Sequence, residues 1–153
     1  MSVMIKFGRS VPADVEQRLP RLVEALAGDP RLEALWLFGS RARGEADALS
    51  DVDLAALAHR AIEPDRLWDC QLEWTGRAVE VLGTDEVAVQ ALNRLPVALR
   101  HGILRDARLL WARSPESARD YEARTLREYL DFEPLLERYD RDLFRQAATR
   151  SLR

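Results

Sequence analysis

The chain has 153 residues, 47% of them hydrophobic and 32% charged, with a formal net charge of −3. That size holds one domain with a real core and not two ordinary ones, in a composition typical of soluble globular proteins. The acidic balance gives no support to a general nucleic-acid surface, and there is neither a membrane-length apolar run nor a signal-peptide pattern, so a cytoplasmic protein with no membrane or direct nucleic-acid partner is expected.

Residues 1–10 read as a short strand or an arm. Val15, Leu19, Leu22 and Leu26 recur at helical spacing up to Gly28 and Asp29-Pro30, with Pro20 as an expected kink. Leu32 to Phe38 reads as a buried strand that ends in the turn Gly39-Ser40. A short helix over Arg41–Arg43 is expected next, closed by Gly44. The polar loop Glu45–Ser50, with Ser50 as a cap or loop-orienting group, leads into a second strand, Asp51–Leu57. Pro64 opens a helix carrying Leu67, Trp68, Cys70, Leu72 and Trp74, with Gly76 as its expected stop. Cys70 is the only cysteine, which excludes a disulfide framework and reads as a core thiol.

Ala78–Leu82 (AVEVL) alternates and is predicted as a third strand, and Thr84 as the cap of a short helix through Leu92. A helix around Pro96–Leu104 and a strand at Leu109–Trp111 follow. Ser114-Pro115-Glu116 then opens a helical segment reaching about residue 145, with a kink at Pro134. The predicted fold is α/β (α+β): one domain, core about 11–112, with a small mixed sheet flanked by helices, covered mainly on one face, and a C-terminal helical segment.

The chemistry concentrates in LWLFGSRARGEADALSDVDLAAL, residues 35–57. Ten residues separate Ser40 from Asp51, and Asp51 and Asp53 stand two apart in an apolar run. Strand alternation turns both carboxylates to one face and Val52 and Leu54 to the other. Paired carboxylates in an apolar segment repel each other, and a hard cation relieves the repulsion. A Gly-Ser turn after a strand lets backbone N–H groups approach phosphate. Together these features point to nucleotide chemistry, in which clustered carboxylates hold divalent ions against a triphosphate. A third carboxylate is wanted from a neighbouring strand. Glu80, inside the predicted third strand, is the candidate, and Asp85 a weaker one. Arg41 and Arg43 have the geometry to contact phosphate.

The spacing and the surrounding words LFGSRARG and SDVDL resemble the nucleotidyltransferase superfamily marked by Gly-Ser, ten residues and Asp-x-Asp. The chain is most similar to the minimal nucleotidyltransferase antitoxins, and LRDARLLW (Leu104–Trp111) and YLDFEPLLERY (Tyr129–Tyr139) extend the likeness toward the C-terminus. The resemblance implies the nucleotidyltransferase fold, ATP and Mg²⁺ (two ions), and AMP transfer to a tyrosine of a HEPN-family RNase toxin. It assigns Gly39, Ser40 and Arg41 to the nucleotide, and Asp51, Asp53 and Glu80 to metal binding and catalysis. The family usually carries Asp at the third position, where this chain is expected to use Glu80. A contact-only antitoxin, or an enzyme acting on a small molecule such as an aminoglycoside, are the alternative readings. The chain has little sequence left for a dedicated acceptor pocket, which favours a protein acceptor.

Overall fold

A computed structural model describes residues 8–151. The arm or strand expected at residues 1–10 therefore falls largely outside the described residues. In chain order the elements are α1 (Val15–Ala27), β1 (Leu32–Phe38), β2 (Val52–Ala58), α2 (Pro64–Leu82), β3 (Val87–Ala91), a 3-10 turn (Leu92–Arg94), α3 (Val97–Leu104), β4 (Arg108–Ala112) and α4 (Pro115–Ser151). The strands form one mixed sheet in the order β3-β2-β1-β4. β1 runs antiparallel to β2 and β4, while β2 and β3 are parallel, joined by α2 as a crossover helix.

Alternation along the strands divides the core. Leu35 and Leu37 of β1, Val52, Leu54 and Ala56 of β2, and Val87 and Val89 of β3 pack under α1 and α2. The helices contribute Val15, Leu19, Leu22 and Leu26, and Leu67, Cys70, Trp74, Ala78 and Leu82. Ala34, Trp36 and Ala55 face the other way, against Leu92, Ala118 and Tyr121, with Ile103 and Leu104 of α3 beside them. Helices thus lie on both faces rather than mainly one. The second cover is partial, and it leaves Ala88 exposed and Asp53 and Gln90 only half-buried. Each fully buried tryptophan has its N–H satisfied, Trp36 donating to Glu122 (2.7 Å) and Trp74 to Asp29 (3.0 Å). Arg31 holds the buried Asp29 carboxyl well below the usual carboxylate range through a 2.7 Å ion pair.

Several sequence expectations about the elements are corrected. Ala78–Leu82 is the last part of α2, not a strand. Its alternation spans only five residues, whereas Leu67, Cys70, Trp74, Ala78 and Leu82 continue one buried helical stripe, ended by Gly83 in a left-handed cap at φ 69°. The third strand is Val87–Ala91, where Val87, Val89 and Ala91 alternate inward, in place of the helix expected after Thr84. Thr84 is buried, and its hydroxyl accepts from the Glu86 N–H and donates to the Arg9 carbonyl. Arg41–Arg43 forms turns rather than a helix. α1 and α4 run through Pro20 and Pro134 as single helices.

α2 also finishes the sheet edge. Thr75 and Gln71 accept hydrogen bonds from the N–H groups of Val89 (3.1 Å) and Ala91 (2.9 Å), which would otherwise be unpaired on β3. Gly76 lies inside this helix at an exposed position, and an added Cβ there meets nothing within 4 Å. Gly76→Ala is therefore expected to stabilise the protein by about 0.5–1 kcal/mol, raising Tm by roughly 1–4 °C. A lower Tm in a thermal melt would mean that the helix ends at Gly76 after all.

Candidate functional site

Register builds the site. Phe38, the last residue of β1, pairs with Asp53, so the Gly39-Ser40 turn emerges beside that carboxylate. On the other side of β2, Asp53 pairs with Ala88 and Val52 with Val87. Val52 and Leu54 are buried on the α1/α2 side, which turns Asp51 and Asp53 to the incompletely covered face, as alternation requires. Asp51 is exposed and Asp53 half-buried.

Gly39 adopts φ +75°, and a Cβ placed on it would lie 2.5 Å from Oδ2 of Asp53. A side chain is excluded there twice over, by the left-handed backbone and by the carboxylate. The turn after it is closed by hydrogen bonds from the Arg43 N–H to the Gly39 carbonyl (3.2 Å) and from the Glu45 N–H to the Ser40 carbonyl (2.9 Å).

The loop to Asp51 is tied back to this turn. Arg41 donates from Nε to the Asp51 carbonyl (3.2 Å) and from Nη2 to the Ser50 carbonyl (2.7 Å). Its guanidinium thus fixes the backbone that presents Asp51, a use the sequence reading did not foresee. Arg43 pairs with Glu45 at 3.0 Å. Ser50 orients the loop as expected, its hydroxyl accepting from the Asp47 N–H (3.0 Å) and donating to the Asp47 carboxylate (3.2 Å).

Burial raises the Asp53 pKa above its ordinary value, and the neighbouring Asp51 charge raises it further, while Arg41 and Arg43 pull it down. A half-buried carboxylate beside a second one, in a niche that only glycine leaves open, fits a divalent cation: hard, oxygen-seeking, and able to cancel both charges. Asp51 and Asp53 are the residues that would hold it.

Glu80 is not brought to this site. It stands on the exposed side of α2, the helix that packs against the opposite sheet face. Asp85 receives the Arg9 backbone N–H at 2.6 Å. The strand that does lie beside Asp53 offers Ala88 in register. Val87, Val89 and Ala91 carry a period-2 signal that could have marked this segment as a strand, though not its pairing with β2. A concavity of about 520 Å³ beside Arg31, Ile62, Cys70 and Glu73 involves neither aspartate.

The model of the polymerase beta, nucleotidyltransferase family matches residues 21–116, more than half of the chain. The chain belongs to that family. Among solved structures, this nucleotidyltransferase is similar to a toxin–antitoxin protein crystallised with AMP-PNP, at 19% identity and TM-score 0.66, covering 84% of this chain and 98% of that one. It is also similar to a chain of the tri-AMPylated Shewanella oneidensis HEPN toxin in complex with MNT antitoxin, at 17% identity and TM-score 0.65, covering 85% and 98%. A chain of the toxin–antitoxin MntA-HepT gives 18% identity and TM-score 0.64, covering 84% and 98%. No curated protein matches the sequence. The nucleotidyltransferase fold expected from the sequence is thus the one observed.

Two outcomes follow from this geometry. Gly39→Ala is expected to destabilise the chain by about 1–2 kcal/mol, lowering Tm by roughly 2–8 °C, because it must strain the backbone and displace the Asp53 carboxylate; an unchanged Tm would contradict the close approach. Asp53 has a folded-state pKa above its unfolded one, so ionising it as pH rises through the carboxylate range costs stability. Asp53→Asn should therefore melt higher than the unaltered chain at pH 7 in EDTA. That advantage should vanish below the carboxylate range, and a pH-independent difference would refute the sign.

Proposed function

We propose that this nucleotidyltransferase is a Mg²⁺-dependent protein adenylyltransferase, the antitoxin of a toxin–antitoxin pair, that transfers AMP from ATP to a tyrosine of a HEPN-family RNase toxin. The observation that carries the proposal is the juxtaposition of Asp51 and Asp53 with the Gly39-Ser40 turn on the open sheet face. The similar structures support the nucleotide, the partner and the modification, since one was crystallised with AMP-PNP and another is a tri-AMPylated HEPN toxin with its MNT antitoxin.

In this reading Gly39 and Ser40 receive the terminal phosphates at the turn, and Asp51 and Asp53 hold Mg²⁺. Bound there, Mg²⁺ supplies charge neutralisation for the triphosphate. The tyrosine oxygen attacks the α-phosphorus as its proton departs, the bond from that phosphorus to the bridging oxygen breaks in line, and pyrophosphate leaves with the bonding electrons. Arg41 acts as a positioning residue, holding the Asp51 backbone through its two carbonyl contacts.

An open site suits an acceptor delivered by another protein. The outer part of α4 adds a surface for such a partner, with Leu135, Tyr139, Leu143 and Phe144 all exposed.

Incubation with the product of the neighbouring gene, as the proposed toxin, with Mg²⁺ and ATP labelled at the α- or γ-phosphate tests the proposal. Only the α-label is expected to reach the toxin, and Asp51→Asn/Asp53→Asn should abolish transfer while keeping the fold. Transfer by the folded double variant would refute the site. A toxin that is bound but unlabelled would replace the enzyme with a contact-only antitoxin.

A further inference from the structure

Resting on the reading above, we infer that this chain offers its divalent cation two carboxylates and no third, and that Ala88 sets this limit. The position directly beside Asp53 on the parallel neighbour strand is Ala88. Val87 and Val89 point into the core under α1 and α2, so Ala88 stands on the same open face as Asp53 and is exposed there. An acidic side chain at that position would close the pair into a three-carboxylate set; a methyl group supplies no ligand.

No other acid takes the place. Glu80 is on the exposed side of a helix against the opposite sheet face, and Asp85 is bound to the Arg9 main chain. Glu86 precedes β3, next to Val87, which pairs with Val52 rather than Asp53, and its carbonyl accepts from the Val52 N–H at 2.9 Å. Among the described residues no three Asp, Glu, His or Cys side chains converge as ligands. The remaining residues, 1–7 and 152–153, contain none of these types.

The consequence is chemical. Mg²⁺ demands near-octahedral oxygen coordination and fills with phosphate oxygens and water what protein does not provide. Two carboxylates suffice for an ion that arrives on the triphosphate. They leave no acidic side chain in register beside Asp53 on the neighbouring strand. The group that receives the acceptor's proton therefore comes from the acceptor protein or from solvent, and the expected pair of ions reduces to one firmly held ion.

Mn²⁺ binding in the presence of AMP-PNP, counted by electron paramagnetic resonance and titrated by calorimetry, tests this without turnover. The full chain is expected to bind a single Mn²⁺, and Asp53→Asn to lose it. Glu80→Gln and Glu86→Gln should stay within about twofold of the unaltered chain, whereas Ala88→Asp should add a second ion or tighten binding about tenfold or more. Two firmly bound ions in the unaltered chain would overturn the inference, as would a tenfold loss in Glu80→Gln or Glu86→Gln. These readings stand even if Ala88→Asp fails to fold. If the unaltered chain binds no Mn²⁺ with AMP-PNP, the functional reading falls first and this inference with it. If it binds one ion but labels no partner, only the acceptor assignment falls.

Discussion

The structure turns on the parity of β2. Val52, Leu54 and Ala56 are drawn under α1 and α2 by burial, and that one constraint obliges Asp51 and Asp53 to emerge on the opposite face. Shifting the strand by one residue would bury both carboxylates and expose the core, at a cost no other interaction in so small a domain could offset. The apolar residues between and around the aspartates aim them. Core packing and site geometry are accordingly the same fact seen from two sides of one strand.

Two further devices fix what parity alone leaves loose. Gly39 brings the end of β1 against the Asp53 carboxylate at a separation that no other residue type permits. Arg41 ties the Ser50 and Asp51 carbonyls to the turn that follows Gly39, so the long loop returns to the sheet at a defined place. α2 secures the neighbouring strand through Thr75 and Gln71, which occupy the outer N–H groups of β3 and hold Ala88 alongside Asp53. Satisfied backbone thus surrounds the open part of the sheet on which the two carboxylates stand.

Much of this was legible in the sequence because it is local. The strand–turn–loop–strand pattern from Leu32 to Leu57 states its own geometry, and the helical stripe of α1 and the strand near Leu109–Trp111 likewise emerge where expected. What failed was a choice between periods over short windows. AVEVL alternates, yet Ala78 and Leu82 also extend the helical stripe begun at Leu67, and packing against the sheet decided for the helix. Gly76 looked like a stop because its tolerance inside a packed helix depends on tertiary contacts made by its neighbours. Misplacing the third strand carried Glu80 into the site on paper and kept Ala88 out of it. Which strand lies beside Asp53 is a long-range matter of pairing, set by how α2 crosses the sheet, and no local pattern encodes it.

The central claim is that these two aspartates direct AMP onto a protein. The intact mass of the product of the neighbouring gene, after co-expression with this chain, addresses that claim most directly, with co-expression of the Asp51→Asn/Asp53→Asn variant as the control. The account expects a mass increase of one or more AMP units with the unaltered chain and none with the variant. A toxin of unaltered mass that is nonetheless silenced and co-purifies would contradict it, and would make this chain an inhibitor by contact alone.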